Sequence, residues 1–397
     1  MIVYLIVTGL ALLLASQVRR RAPLEYAAPA SRCGLRLRGG ISRQDALSRL
    51  CLALLFSVLV IPEALRVNTG NDYAKYVDFF HNIDSGAYDY VATEFGFNAV
   101  VRAIYSLSGF ENYLLVFAVF AALTAGFFLL AMREQAENFP LTFFLFMMFG
   151  YYFQSYNTVR YYFVLAVVLW ALRFLLDGRI AYFVLVVLAA ASFHKSVLIV
   201  LVLYPLALLP WRTWMLWALA LLGGAVYATK GFWLAVAVKL YPSYAGTEFL
   251  ASGGISWSNV VRCAAVIGFA WLLRGRENAP AVFSAALRFR RNRFYYYCEI
   301  EALFLYVFAS FIPFISRIGY YLTITQIFFL PELLCSMPEG TAAERRRKKA
   351  AAALVVAAAL LYFVMLLRKM PDETIKLLPY KSFLFHEMPA IWSDVNR

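Results

Sequence analysis

Long, uninterrupted apolar runs are the feature that most constrains how this chain can fold. They recur along most of its 397 residues, of which 63% are hydrophobic and only 15% charged. An ordinary soluble domain carries about 25% charged residues, so this chain lacks the polar side chains that a soluble surface needs. Because the runs are continuous and do not alternate, they predict membrane-spanning helices and exclude a transmembrane β-barrel. The composition also excludes a coiled coil, a disulfide-rich secreted module and a disordered scaffold.

Twelve of these runs are read as membrane spans of about 20 residues or somewhat fewer. They lie at residues 1–18, 47–65, 112–132, 139–156, 161–176, 180–193, 196–210, 213–229, 257–273, 294–315, 318–337 and 350–367. The prediction is an all-α, polytopic integral membrane helical bundle of about twelve helices, with residues 1–397 forming a single transmembrane domain. Its polar parts are an outer loop with an interfacial helix at 66–111, an outer loop at 230–256 and an outer tail at 368–397.

The basic residues set the predicted orientation. Arg19, Arg20 and Arg21 follow the first apolar run instead of preceding it, so we interpret that run as a span and not as a cleaved signal. Placing both termini outside assigns roughly 23 of the 37 basic residues to the cytoplasm. Positive-inside topology therefore explains the net charge of +14 better than nucleic-acid binding does. Headgroup binding by the runs 288–293 and 345–349 is the alternative.

Metal and cofactor chemistry finds no support in the residue pattern. The chain has three histidines and five scattered cysteines, which are Cys33, Cys51, Cys263, Cys298 and Cys335. No pair of them has the spacing of a zinc knuckle or a redox motif. We therefore expect no metal and no cofactor.

Cationic side chains begin three of the predicted spans that run from outside to inside. Arg160 begins the fifth span, His194 and Lys195 the seventh, and Arg317 the eleventh, while Arg262 lies one turn into the ninth. A helix N-terminus carries partial positive charge and unpaired N–H groups, so converging ends of this kind would bind a phosphate or diphosphate. In the alternative interpretation these cations extend to lipid headgroups, and Lys195 is the best candidate for that role. The alternative for His194 is a structural role.

The predicted outer segment 66–111 combines carboxylates with aromatic rings. Asp72 precedes Tyr73 and Tyr76, and Glu94 follows later in the segment. Rings that stack on sugars and carboxylates that bind hydroxyls are typical of a carbohydrate site, although Asp72 could simply cap a helix over 73–80. A second polar stretch precedes Arg160 and adds three candidate substrate-binding residues: Gln154, Tyr156 and Asn157.

Five short elements of the chain resemble those of a known family. We name each element by one residue: the Asp72 element (Gly70-Asn71-Asp72-Tyr73-Ala74-Lys75-Tyr76), the Glu94 element (Glu94-Phe95-Gly96-Phe97), the Arg160 element (Arg160 with Leu165-Ala166), the His194 element (Ala190-Ala191-Ser192-Phe193-His194-Lys195-Ser196) and the Arg317 element (Arg317 with Tyr321). Their types and order resemble the EpsG-type, Wzy-like polymerases of bacterial exopolysaccharide, capsule and O-antigen assembly. Phe95 stands where the family element has proline.

The resemblance implies a polymerase that acts on undecaprenyl-diphosphate-linked oligosaccharides at the outer face of the bacterial cytoplasmic membrane. It would extend the chain without a nucleotide sugar, with membrane lipid and polysaccharide assembly proteins as partners and no nucleic acid. Arg160 and Arg317 would stabilise charge on the leaving diphosphate, with His194 as a third donor or as the acid. Asp72 is the first choice for the base and Glu94 the second. Substrate binding would fall to Tyr73, Tyr76, Gln154, Tyr156, Asn157, Lys195, Arg262 and Tyr321.

Two other functions remain open at this stage. A polyprenyl-phosphate-dependent glycosyltransferase that adds a single sugar would need the same anion site, and a fold related to the multi-spanning, GT-C-like glycosyltransferases would suit either enzyme. A flippase of lipid-linked oligosaccharide would instead need charges through the membrane depth and paired repeats. The chain shows no repeat and keeps its polar groups near the outer face, which favours the polymerase.

Overall fold

A computed structural model describes residues 1–18, 43–85, 93–209, 212–240, 254–274, 286–312, 314–372 and 375–386. These residues form helices α1 (Ile2–Ser16), α2 (Arg43–Ala64), α3 (Tyr73–Ser85), α4 (Phe95–Ser108), α5 (Tyr113–Gln135), α6 (Phe139–Met148), α7 (Tyr151–Ser155), α8 (Val159–Leu176), α9 (Ile180–Ala191), α10 (Val200–Leu208), α11 (Thr213–Ala228), α12 (Lys230–Leu240), α13 (Trp257–Arg274), α14 (Ala286–Phe308), α15 (Ile315–Thr323), α16 (Gln326–Cys335) and α17 (Ala342–Lys369), with a 3₁₀ turn at Lys195–Ile199. Within these ranges the β-type pairing is an isolated bridge between Arg66 and Ser382. The all-helical prediction is confirmed.

Several of these helices are long and apolar enough to cross a membrane. Five pass by length and composition, namely Arg43–Ala64, Tyr113–Gln135, Val159–Leu176, Ile315–Cys335 and Ala342–Lys369. A sixth candidate is a pair of helices, Trp214–Ala228 and Lys230–Lys239, bent by 77°. Shorter apolar helices cover further predicted spans. The chain is therefore a membrane helical protein, and the number of twelve spans stays a prediction.

Some elements of the structure differ from the predicted ones. The run 139–156 is broken at Gly150, whose left-handed φ of 78° ends α6 before α7 begins. A β-carbon at this glycine would lie 2.5 Å from Leu366, so the break also permits close packing. Residues 230–240 are the helix α12 and not a loop, because an apolar sequence follows Lys230. The segment 66–111 holds two helices, α3 and α4, on either side of residues outside the described ranges.

The chain divides into two compact units. The first unit comprises residues 1–87, 98–166 and 353–397, and the second comprises 88–97 and 167–352. In the first unit α2 packs against α1 and α5, and α6 against α1 and α5. Asparagine side chains fix two helix starts there: Asn112 caps α5 and Asn138 caps α6, each by accepting a backbone N–H.

A buried arginine organises the region just beyond α2. Arg66 is 1% exposed and lies 3.6 Å from the Glu63 carboxylate. Its guanidinium donates to the carbonyl oxygen of Tyr156 at 3.2 Å and stacks over the rings of Phe117 and Tyr156. A buried charge of this kind needs both its ionic partner and its hydrogen bonds. Arg66 thereby ties the chain before the Asp72 element to the chain before the Arg160 element.

The part of the C-terminal tail that the structure describes lies along the same region. The backbone N–H of Val67 donates to Lys381 at 2.9 Å, and that of Gly70 donates to Lys376 at 2.8 Å. The Tyr4 hydroxyl adds a bond of 2.8 Å to the Leu377 carbonyl. These bonds satisfy backbone groups that no helix can satisfy and hold the segment 65–71 in place.

In the second unit α14 is the central helix. It packs against α10, α11, α13, α15 and α16. The contact with α15 is close because Gly319 faces the Tyr306 ring, and a β-carbon at that glycine would overlap the ring. The Tyr204 hydroxyl of α10 donates to the Tyr321 carbonyl of α15 at 2.7 Å. Together these contacts fix the helix that carries Arg317.

Candidate active site

In the first unit the Asp72 element and the Arg160 element lie together. The backbone N–H of Asn71 donates to the Asn157 side-chain oxygen at 2.9 Å. Gly70, with φ of 103°, makes this approach possible, since a β-carbon there would lie 2.6 Å from the Tyr156 carbonyl oxygen. Helix α3 then begins at Tyr73, directly after Asp72. We call this arrangement of residues 70–76 with 157–160 the first site group.

The first site group includes the start of α8. The Tyr76 hydroxyl accepts the backbone N–H of Arg160 at 3.3 Å, which satisfies one of the unpaired donors at that helix end. The Arg160 guanidinium carbon lies 5.9 Å from the centre of the Tyr76 ring and 5.4 Å from that of Phe79. Burial raises the pKa of Tyr76, so its phenol is a neutral hydrogen-bonding group. The aromatic rings therefore hold Arg160 from one side.

Asp72 keeps access to solvent within this group. Its side chain is 21% exposed, and its Oδ1 lies 3.5 Å from the Lys75 ammonium, which is 62% exposed. An exposed ion pair of this length contributes little to stability, so it leaves the carboxylate available to another partner. This is the exposure that a group exchanging protons with a substrate needs.

In the second unit hydrogen bonds join the Glu94 element to the His194 element. Glu94 Oε1 accepts the backbone N–H of Lys195 at 3.0 Å and lies 3.3 Å from His194 Nδ1. The backbone N–H of Gly96 donates to the Ser192 carbonyl at 2.7 Å. A β-carbon at Gly96 would overlap the Ser192 side chain, so this docking needs a glycine.

This docking determines how His194 can act. The His194 and Glu94 side chains are 14% and 12% exposed, respectively. A carboxylate accepts from an imidazole N–H, so the contact favours the form of His194 that carries a proton on Nδ1. Glu94 is thus engaged with its own unit, whereas the sequence suggested it as a second candidate for the base.

The Arg317 element contacts the His194 element through Ser196. Ser196 Oγ lies 3.0 Å from the Tyr321 hydroxyl. Arg317 is half-buried and lies four residues, or about one helical turn, before Tyr321 on α15. We call this arrangement of residues 94–97, 192–196 and 317–321 the second site group. The structure thus places three of the five elements together in one unit and the remaining two together in the other.

Most of the other predicted binding residues are more buried than the sequence suggested. The rings of Tyr73, Tyr76, Tyr156 and Tyr321 are 5% exposed or less, and Tyr73 stacks on Phe117 at 4.7 Å between ring centres. Gln154 accepts the Tyr162 hydroxyl, and Lys195 is exposed. Sugar stacking on these tyrosines stays a prediction, since in this structure the rings pack against protein.

Arg262 lies in the interior of the second unit. It is 8% exposed and donates to the side-chain oxygens of Asn259 at 3.2 Å and Thr323 at 3.3 Å. These bonds link α13 to the end of α15, the helix that carries Arg317. A role for Arg262 at the diphosphate stays a prediction. The hydrogen bonds to Asn259 and Thr323 support α15.

Sequence reasoning missed Arg66 and Ser192. Their contacts join residues far apart in the chain, for example 90 residues between Arg66 and Tyr156. A partial signal existed in each case. Glu63 and Arg66 are oppositely charged residues three apart at the end of an apolar run, and Gly96 marks a close backbone approach.

Comparison with known proteins identifies the family. The sequence profile of the EpsG family matches residues 49–382. The chain belongs to the EpsG family. All five elements of the two site groups fall within the matched range, and the resemblance drawn from them is confirmed. No curated protein and no solved structure matches the chain significantly. EpsG membership makes this an exopolysaccharide-related, polymerase-type membrane protein in general terms.

Proposed function

We propose that this EpsG protein polymerises undecaprenyl-diphosphate-linked oligosaccharide repeats at the outer face of the bacterial cytoplasmic membrane. The observation that carries the proposal is the assembly of the five elements into two site groups. In each group an arginine that begins or nearly begins a helix accompanies a carboxylate: Arg160 with Asp72, and Arg317 with the Glu94–His194 pair. Cations and carboxylates are the groups that a glycosyl transfer from a lipid diphosphate requires.

The reaction joins an acceptor hydroxyl to the anomeric carbon of the growing chain. A new carbon–oxygen bond forms there, the bond to the diphosphate oxygen breaks, and the lipid diphosphate leaves with the bonding electron pair. Negative charge therefore increases on the leaving phosphate in the transition state. Arg160 and Arg317 stabilise that charge, and guanidinium groups bind phosphate oxygens in a bidentate manner.

Two protons accompany these bond changes. Asp72, as the base, takes the proton of the attacking hydroxyl, since its carboxylate is partly exposed and its contact with Lys75 is long. His194 Nε2 donates a proton to the leaving phosphate. Glu94, whose carboxylate contacts Nδ1, orients the imidazole ring and balances the imidazolium charge before the proton is donated. Both side chains return to their starting states by exchanging one proton each with water.

The test is a polymerisation assay with purified protein and lipid-linked repeat units, with products resolved on a gel. We expect a ladder from the unaltered protein, and Arg160→Ala, Arg317→Ala and Asp72→Asn each to abolish it while the protein keeps its thermal unfolding midpoint. Glu339→Gln is the matched control, because it removes a carboxylate from an exposed ion pair with Lys348. A single added sugar in place of a ladder would favour the polyprenyl-phosphate glycosyltransferase. Full activity in all three variants would overturn the assignment of the site.

A further inference from the structure

A row of polar side chains runs along α14 in the interior of the second unit. Arg291, Tyr295 and Glu299 follow at intervals of four residues, so they share one face of the helix. Arg291 donates to the Tyr295 hydroxyl at 3.4 Å and lies 3.5 Å from Glu332 of α16. Ionisable groups inside a membrane bundle are expensive and usually functional. None of these groups belongs to the two site groups.

The centre of this row is a carboxyl paired with an amide. Gln326 Nε2 of α16 donates to Glu299 Oε2 at 2.6 Å, and both residues are 0% exposed. The other two oxygens of the pair, Glu299 Oε1 and Gln326 Oε1, are buried and have no hydrogen-bond partner among the described residues. If Glu299 is ionised, both of these oxygens are acceptors, and neither can satisfy the other.

A proton on Glu299 removes this conflict. A protonated carboxyl has one O–H donor, and Gln326 Oε1 is a free acceptor on the same amide. A protonated carboxyl and a primary amide can pair through a ring of two hydrogen bonds, and no net charge is then buried. An isolated carboxylate in such surroundings would be strongly disfavoured and would take up a proton instead.

Among the described residues, the groups near Glu299 are mostly neutral. The Cys263 thiol of α13 is a neighbour of the Glu299 carboxyl, and a thiol is neutral. Arg262, also on α13, interacts with Glu299 electrostatically and donates hydrogen bonds to Asn259 and Thr323. Cys298 and the buried Glu301 are titratable neighbours on α14 itself. The side-chain hydrogen bond that Glu299 accepts thus comes from a neutral amide.

We propose that Glu299 and Gln326 form a proton-binding site within the membrane bundle, occupied at neutral pH. The bound proton lets α16 dock on α14 through two hydrogen bonds. Its loss would leave a carboxylate facing the amide oxygen and would weaken that contact. Because α15 and α16 form the single candidate span Ile315–Cys335, the site supports the span that presents Arg317. The proposal concerns protonation and does not depend on the reaction that the protein catalyses.

Infrared spectroscopy of the purified protein tests the proposal directly. We expect the carbonyl stretch of protonated carboxyl groups at pH 7, and Glu299→Gln to remove the absorption of one such group while the unfolding midpoint stays the same. The glutamine preserves the ring as an amide–amide pair. Glu339→Gln is the matched control, and it should remove carboxylate absorption only, because Lys348 lowers the pKa of this exposed carboxyl.

Three results would overturn the proposal. One is a difference spectrum in which Glu299→Gln removes carboxylate absorption and no protonated carboxyl. The second needs no substitution at Glu299: Gln326→Met removes the amide, and the proposal requires the protonated-carboxyl band of Glu299 to shift. An unchanged band in that variant, or no protonated-carboxyl band in the unaltered protein at pH 7, would show that the ring does not exist.

Discussion

Replacing Glu94 by glutamine probes the link between two elements that lie 100 residues apart. Glutamine keeps an oxygen that can accept the Lys195 N–H and the His194 Nδ1–H, but it removes the negative charge. A hydrogen bond to a charged group contributes about 1.5–3 kcal/mol and a neutral one about 0.5–1.5 kcal/mol. We therefore expect Glu94→Gln to withdraw about 1–1.5 kcal/mol from the imidazolium form of His194.

This loss of free energy corresponds to a decrease in the polymerisation rate. If His194 must carry its proton for the leaving phosphate to accept it, the polymerisation rate falls roughly 5- to 12-fold. The initial rate of ladder formation measures the change. Glu94 touches no reacting atom in the proposed reaction, so its effect passes through His194. In a His194→Ala background, the additional Glu94→Gln change should therefore have almost no effect.

The chain supplies a closely matched control. His81 and Glu111 form a second histidine–carboxylate pair in the first unit, with Nδ1 3.0 Å from Oε1. It belongs to neither site group, and its side chains are 34% and 39% exposed. Glu111→Gln should leave the rate unchanged. The reasoning about Glu94 is refuted if its effect multiplies with that of His194→Ala, or if Glu111→Gln slows the reaction equally.

Four further variants test other parts of the structure. Gly96→Ala forces a β-carbon into the 192–195 turn, and overpacking of about 1–3 kcal/mol should lower both the unfolding midpoint and the activity; an unchanged midpoint would contradict the docking. Arg66→Met leaves Glu63 buried without its partner and should destabilise by about 3–5 kcal/mol in denaturant unfolding, whereas a small effect would show that Glu63 is already neutral. Ser85→Cys should react with an impermeant maleimide on intact cells and Ala343→Cys only after permeabilisation; the reverse pattern would invert the predicted topology.

Much of the architecture follows from short-range patterns in the chain. The runs 47–65, 112–132, 161–176 and 350–367 predict helices that the structure contains as α2, α5, α8 and α17. Each forms because continuous apolar sequence satisfies its backbone polar groups only as a helix in lipid. The break at Gly150 was missed, because one glycine inside an apolar run carries no sign that it adopts a left-handed conformation.

For the site residues, too, the sequence predicted some properties and missed others. Residue types predicted the chemistry of the site, since arginines at helix starts indicate an anion and a carboxylate beside them indicates proton transfer. They could not predict partners. Glu94 is the second candidate for the base, and only the structure shows that its carboxylate contacts His194 and Lys195. Tyr156 was assigned to substrate by its polar neighbours, but its ring stacks with Arg66 in the core.

The sequence by itself determined that the chain is a helical membrane protein of the EpsG family and supplied the five elements that we propose carry its chemistry. Hydropathy and motif order act locally along the chain, so they are readable without coordinates. The tertiary structure decided which elements meet: Asp72 with Arg160 in one unit, and Glu94 with His194 and Tyr321 in the other. It also placed Glu299 beside Gln326. These pairings depend on how helices dock, and docking is set by the fit of side chains distant in sequence.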